Sequence, residues 1–273
     1  MTMLKSALKS AARTVAPRVY FRYKFRSLRA AGHEAELKLV PLLAEESKTS
    51  LDIGASGGLY VAHMVDCSKD CVAFEPQPSS ADELEAMVKT LNLPVPVERV
   101  ALSDIPGRAT MRVLVSDLGR STIERENQLD DPDGSERTEY EVPVKALDEF
   151  SFDSVGFVKI DVEGHEIAVI QGGLNMIKEH RPNLLIEVED RHKPGATRQV
   201  LDLLHQMGYA GFFIYDDRLT SVEDFVGEIH QDSRNISGWK DGWKRTGVYV
   251  NNFVFVPEEK VASFLGPANM VLS

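Results

Sequence analysis

The sequence predicts a doubly wound α/β domain. It would hold seven mostly parallel strands, an inserted β-hairpin and a basic helical extension at the N-terminus. Three observations predict it. From residue 49 onward, short apolar runs alternate with stretches of helical period, the pattern of a sheet covered by helices on both faces. The first run ends in a glycine-rich turn, Leu51–Gly58 (LDIGASGG). Midway, two alternating runs interrupt the scheme, as an inserted hairpin would.

Bulk properties narrow the class further. A chain of 273 residues can bury a core without disulfides or metals. With 43% hydrophobic and 27% charged residues, disorder throughout is excluded. No uncharged run exceeds about a dozen residues, short of the ~18 that span a bilayer. Cys67 and Cys71 are the two cysteines, so no disulfide framework is expected, and a reducing, cytoplasmic setting is predicted. The net charge of −11 hides an asymmetry: residues 1–33 carry +8 and no acid, and the remainder carries −19. Such an acidic body argues against general nucleic-acid binding.

Residues 1–47 form the predicted extension. Its bases are interleaved with Leu4, Leu8, Val15, Val19, Tyr20, Phe21, Tyr23, Phe25 and Leu28. The segment reads as a helical lid with its bases in water, or as a helix that contacts an acidic membrane face or another anionic partner. Peripheral contact at the inner membrane face is one expectation for residues 1–33. Their Arg-rich, acid-free composition also resembles a transit peptide, and no apolar stretch marks a secretory signal.

The main domain is expected over residues 48–257. Its strand candidates are Ser50–Ile53, Cys71–Phe74, Val97–Leu102, Gly156–Ile160, Asn183–Val188, Gly211–Tyr215 and Val248–Val256. Helices are predicted at Ser79–Leu91, where Ser80 and Glu83 have capping-box spacing, at Ile167–Glu179, and at Thr197–Met207, ended by Gly208. Ala109–Val115 and Tyr140–Val144 are the inserted strands, joined by the polar, mobile loop Asn127–Arg137. Residues 216–247 show little periodicity and hold both tryptophans, Trp239 and Trp243. Residues 258–273 form a tail without a clear signal.

The glycine turn and an acid after the second strand point to a nucleoside ligand. A sheet of this kind binds ligands outside the carboxyl ends of its strands. Glu75 ends the second strand, 23 residues after Asp52, where a carboxylate can accept both hydroxyls of a ribose. The turn lacks the G-x-G-x-x-G spacing of a pyrophosphate cradle. Asp52 before it would repel a phosphate and suits a positive group, such as the amino and sulfonium groups of S-adenosylmethionine.

The second signature is Phe157–Glu166 (FVKIDVEGHE). An apolar strand runs into Asp161, Glu163, His165 and Glu166 around one glycine. If the chain stays extended, Asp161, Glu163 and His165 share one side. Glu187 and Glu189 end the next strand. Neighbouring carboxylates can raise one another's pKa, take a proton from a hydroxyl or hold a divalent metal.

Together these stretches resemble the FkbM-type methyltransferases, enzymes dependent on S-adenosylmethionine with the class I Rossmann-like fold. The matching pieces are LDIGASGG (51–58), AFEPQP (73–78), VALSD with Gly107 (100–107), GRSTI (119–123), VKALD (144–148), KIDVEGHE (159–166), QGG (171–173), PNLLIEVE (182–189) and NFVFVP (252–257). They cover roughly residues 48–257, and their order and spacing carry the resemblance. Ser56 stands where many members carry Asn.

The resemblance implies a cofactor site. Asp52, Gly54, Ala55, Ser56 and Gly58 would lie at the methionine end, Glu75 and Pro76 at the ribose, and Ser103 and Asp104 beside the adenine. Asp161 and Glu163 would sit near the transferable methyl. It also implies O-methylation of a hydroxyl on a sugar, glycolipid or natural product. Asp161, Glu163 or His165 is the expected base, and Glu187 orients the acceptor. Arg120, Ser121 and Thr122 could contact the acceptor, with Trp239 and Trp243 stacking on a sugar face. A small-molecule or glycan acceptor is therefore the expected partner, and self-association is open. Three rivals are weighed: a nicotinamide-dependent oxidoreductase, a non-catalytic binding protein on the same fold, and a nucleic-acid methyltransferase.

Overall fold

The computed structural model describes residues 13–32, 34–115, 117–127, 129, 136–237 and 244–273. Trp239, Trp243 and most of the polar loop 128–135 lie outside the described residues.

The main sheet contains β1 (Thr49–Ile53), β2 (Asp70–Phe74), β3 (Val97–Glu98), β8 (Val155–Ile160), β9 (Asn183–Glu187), β10 (Tyr209–Tyr215), β11 (Arg218–Ser221) and β14 (Asn252–Pro257). Its order is β11-β10-β14-β9-β8-β1-β2-β3. The pairs from β9 to β3 are parallel; those joining β9, β14, β10 and β11 are antiparallel. The expected seven strands are thus eight, with β11 a short hairpin return on the edge.

Alternation along the central strands separates two cores. Leu51, Ile53, Val158, Ile160, Leu184 and Ile186 face one layer, and Cys71, Ala73, Phe157, Leu185, Val254 and Val256 face the other. The first layer packs on α5 (Glu166–Gly172), α6 (Leu174–His180) and α7 (Ala196–Gln206). The second packs on α1 (Pro17–Arg29), α3 (Leu59–Met64), α4 (Pro78–Leu91) and α9 (Val261–Leu272). The short α2 (Val40–Leu43) lies before β1, α8 (Gly227–His230) follows β11, and β12 (Ile236–Ser237) pairs with β13 (Lys244–Arg245) as a separate two-stranded ladder.

Several sequence expectations change. The apolar run 97–102 divides: β3 pairs with β2, whereas β4 (Ala101–Leu102) pairs with β7 (Arg137–Lys145) of a separate small sheet. That sheet has the order β4-β7-β5-β6, with β5 (Gly107–Leu114) and β6 (Asp117–Thr122). The insertion is therefore more than a hairpin, with its own core of Ala101, Met111, Val113, Val142 and Val144. The helix expected over 167–179 is two, parted at Gly173. Neighbouring Gly172 lies so close to the Ser103 carbonyl that a Cβ there would sit 2.1 Å from the oxygen. The last strand starts at Asn252, because the Val250 N–H turns away to the His230 carbonyl. The cap of α4 is Gln77, whose side-chain oxygen accepts the Ser80 N–H. Glu83 instead faces α1, paired with Lys24 at 3.0 Å and accepting from Tyr20 at 3.2 Å. The tail is a helix, with Phe264, Ala268 and Leu272 buried.

Candidate functional site

The carboxyl ends of β1, β2 and β8 and the near edge of the small sheet enclose a cleft. Gly54, Ser56, Glu75, Pro76, Asp161, Glu163 and His165 line it, as do Ser121 and Thr122 of the insertion.

The glycine turn is shaped by its neighbours. Gly54 has φ +82°, and a Cβ on it would stand 1.8 Å from the carbonyl oxygen of Asp161. The first signature thus touches the second directly, and a glycine is required between two backbones. Ser56 also adopts a left-handed φ, +42°. That conformation aims its N–H at Glu75, 2.6 Å away, and the other Glu75 oxygen accepts the Gln77 N–H at 2.7 Å. Burial pushes the Glu75 carboxyl up to about 7, against the pull of these two donors.

Strand alternation decides the place of Asp52. It points to the face opposite Leu51 and Ile53, where one oxygen accepts the Val61 N–H of α3 at 3.1 Å. Burial pushes its carboxyl up to about 7 as well. Asp52, Ala55 and Gly58 are absent from the lining of the cleft, and Asp52 braces the segment after the turn through the Val61 N–H. Asp52 pairs in register with Lys159 of β8, on the same face.

Lys159 is buried at 1% exposure. Its ammonium donates to Asn252 Oδ1 at 3.0 Å, lies 3.8 Å from Glu187 and stands 5.0 Å from the centre of the Tyr60 ring. Burial works to strip its proton, but Asp161, Glu187, Glu34 and Asp52 outweigh burial and raise its pKa. Burial first, and then the charge of Glu187, holds Asp161 well above the usual carboxylate range. Burial likewise pushes Glu187 up to about 7. Four carboxyls thus surround one ammonium, an environment that favours a further positive charge. Glu34 enters this group from the N-terminal segment and accepts from the Tyr60 hydroxyl at 2.5 Å.

The three groups expected on one side of Phe157–Glu166 are separated. Glu163 (φ +53°) and Gly164 (φ +104°) turn the chain sharply, so the alternation of an extended strand ends at Asp161. Glu163 Oε2 faces His192 Nε2 at 3.0 Å. Burial works to raise Glu163, but His192, Arg191 and Arg120 hold it below the usual range. Its carbonyl accepts from Thr122 Oγ1 at 2.8 Å and from Asn127 Nδ2 at 2.7 Å. His165 is engaged at both ring nitrogens, with Ser103 at 2.9 Å and Glu124 at 3.3 Å. Burial lowers its pKa. His165 thus links the end of β4 to the insertion while lining the cleft.

Other expected site residues fall outside the lining. Ser103 is buried behind His165, and Asp104 is exposed to solvent. Arg120 is buried beside Glu163. Glu187 sits behind Asp161, bonded to Asn251 at 2.6 Å. Among the described residues no group of three or more His, Cys, Asp or Glu could hold a metal ion, so the divalent-metal expectation finds no support.

Sequence reading missed the apolar wall: Phe74, Val100, Ala101, Leu102, Met111, Ile123 and Val162. Most of these read only as strand residues. It also missed Glu34, Tyr60 and His192, which are distant in sequence from the two signatures.

The donor set fits a nucleoside that carries a positive charge. It offers a carboxylate after β2, a glycine turn beside it, a flat apolar wall and an acid-rich floor.

The sequence model of the Methyltransferase FkbM domain matches residues 52–210. No curated protein matches the chain. Among solved structures, the methyltransferase FkbM from Methylobacillus flagellatus KT is 14% identical, with a TM-score of 0.49 over 77% of this chain. The chain spans 44% of that protein's length. An O-methyltransferase from Bacillus cereus, solved in complex with SAH, is 12% identical, with a TM-score of 0.45 over 91% of this chain and 96% of its own. An rRNA methylase from Streptococcus thermophilus is 9% identical, with a TM-score of 0.44 over 82% of this chain and 96% of its own.

Proposed function

Because the chain belongs to the FkbM methyltransferase family, we propose that it transfers a methyl group from S-adenosylmethionine to a hydroxyl of a sugar, glycolipid or natural product. The observation that carries this reading is the cleft itself. It joins a buried carboxylate braced by two backbone N–H groups to an acid cluster around Lys159.

S-adenosylmethionine, when bound, supplies a methyl group on a positively charged sulfur. Glu75 would hold the ribose hydroxyls. Val100, Ala101, Leu102, Met111 and Ile123 would enclose the adenine, which is flat and apolar on its faces. The backbone of Gly54 and Ser56 would meet the methionine portion, and the acids around Lys159 would favour its positive charge.

A neutral sugar hydroxyl is a poor nucleophile, so a nearby base helps. Asp161 is the best-placed acid in the cleft. With a positive charge beside it, its proton is less tightly held. It would then accept the acceptor's proton on a carboxylate oxygen as the new bond forms. Glu187, held by Asn251 and Lys159 behind Asp161, would act on the acceptor only through Asp161, by positioning that carboxyl. Walls from the insertion would exclude water and fix the approach.

The test is transfer of radiolabelled methyl from S-adenosylmethionine to a panel of glycans, glycolipids and polyhydroxylated small molecules. Label on oxygen supports the reading. Label confined to nitrogen, carbon or RNA would replace the acceptor class.

A further inference from the structure

We propose that the outward face of α1 docks this protein on an anionic lipid bilayer. The helix is fixed to the domain by its inner face. Phe21 is buried, and Lys24 and Tyr20 are tied to Glu83 of α4. Leu28 offers its carbonyl to His63. That attachment turns the opposite face permanently to solvent.

Two adjacent rows run along the outer face. Arg18, Arg22 and Arg26, four residues apart, form one row and are all exposed. None of the three pairs with an acid among the described residues, whereas Arg29 is engaged by Asp66. Val19 and Tyr23 form the second row at 70% and 75% exposure; Val15, ahead of the helix and beyond the non-helical Ala16, is exposed at 84%. Residues three and four apart are neighbours on a helix surface, so the guanidinium row and the apolar row lie beside each other, with Val19 next to Arg22 and Tyr23 next to Arg26.

A solvated helix face has no physical reason to expose two bulky apolar groups beside a row of arginines. A bilayer accommodates both rows: apolar side chains enter the headgroup boundary while guanidinium groups meet lipid phosphates. Charge fixes the orientation. Residues 34–273 carry −19 and are repelled by an anionic surface, so the approach is by this face alone. RNA would satisfy the arginines but not the apolar row, which favours lipid.

The inference does not depend on the methyl-transfer reading and is tested separately from it. The full chain is floated with vesicles of phosphatidylcholine alone, and with phosphatidylcholine mixed with phosphatidylglycerol. Binding is expected to the anionic vesicles only, and to weaken as salt rises. Combined Arg18→Gln, Arg22→Gln and Arg26→Gln is expected to lower partitioning roughly a hundredfold. Combined Val19→Asp and Tyr23→Asp should lower it as well. The salt titration uses the unaltered chain, so it decides the claim even if a variant folds poorly. Equal binding to both vesicle types, or to neither, overturns the proposal. So does RNA binding lost in the arginine variant without any vesicle binding, which would assign the face to nucleic acid. Self-association through this face without vesicle binding would likewise assign it to a second copy.

Discussion

The Ser56 N–H donates to the Glu75 carboxylate across 2.6 Å, so the turn after β1 and the acid after β2 form one unit. The left-handed backbone at Ser56 is what aims that donor. Glu75 also accepts from Gln77, just ahead of α4. One buried carboxylate therefore ties together the segments at two strand ends, and any ligand it holds is registered against both.

Glu75→Ala should loosen this unit even without ligand. Amide exchange at Ser56 and Gln77 is expected to quicken about tenfold, the size of one lost hydrogen bond. Hydrogen exchange read by mass spectrometry checks it. Unchanged protection at both amides would mean that Glu75 does not brace the turn.

Gly54→Ala puts a methyl group against the Asp161 carbonyl, in a left-handed conformation. The substitution should cost on the order of 2–4 kcal/mol of folding stability from overpacking and backbone strain. Denaturant unfolding measures this. A loss within experimental scatter would show that the two signatures can part without penalty.

Asp161→Asn keeps the shape of the buried cluster and removes the candidate base. Methyl transfer should fall at least about tenfold, with cofactor affinity little changed. Single-turnover rates at saturating cofactor separate the two effects. An unaltered rate would take Asp161 out of the mechanism.

Buried acids set the pH response. Burial raises Glu75, Glu166 and Glu187 from an ordinary 4.5 to about 7, and Asp52 from 3.8 to about 7. The folded state thus binds these protons more tightly than the unfolded state. Their stabilising contribution is complete below the unfolded values and is lost as pH rises through about 7. His192, with a raised pKa, adds in the same direction. His165, with a lowered one, opposes it. The ligand-free protein should therefore melt at a higher temperature near pH 5.5 than near pH 8. Glu166→Gln removes one such group outside the acid cluster around Lys159 and should flatten the trend. Calorimetric melts across this range check both; a melting temperature that rises with pH would contradict the sign.

Much of this architecture was legible in the sequence, because strand length, alternation and glycine turns are local signals. The runs at Ser50–Ile53 and Gly156–Ile160 and the acid at Glu75 all lie where the pattern puts them. The arrangement after Ile160 was not legible. An extended reading aligns Asp161, Glu163 and His165, whereas the left-handed backbone at Glu163 and Gly164 turns Glu163 to His192 and His165 to Ser103. The division of the run 97–102 depends on pairing with β7, about forty residues away in sequence, which periodicity does not report. Glu34 reaches the acid cluster only through tertiary packing of the N-terminal segment on Tyr60.

The most direct measurement is calorimetric titration of the full chain with S-adenosylmethionine, with NAD as the comparison ligand and Glu75→Ala alongside. Micromolar binding of S-adenosylmethionine, no binding of NAD, and a loss of at least about tenfold in the variant are expected, since a carboxylate bonded to ribose hydroxyls contributes on the order of 1.5–3 kcal/mol. Absence of S-adenosylmethionine binding to the unaltered chain, or binding that Glu75→Ala leaves intact, would contradict the account of this cleft.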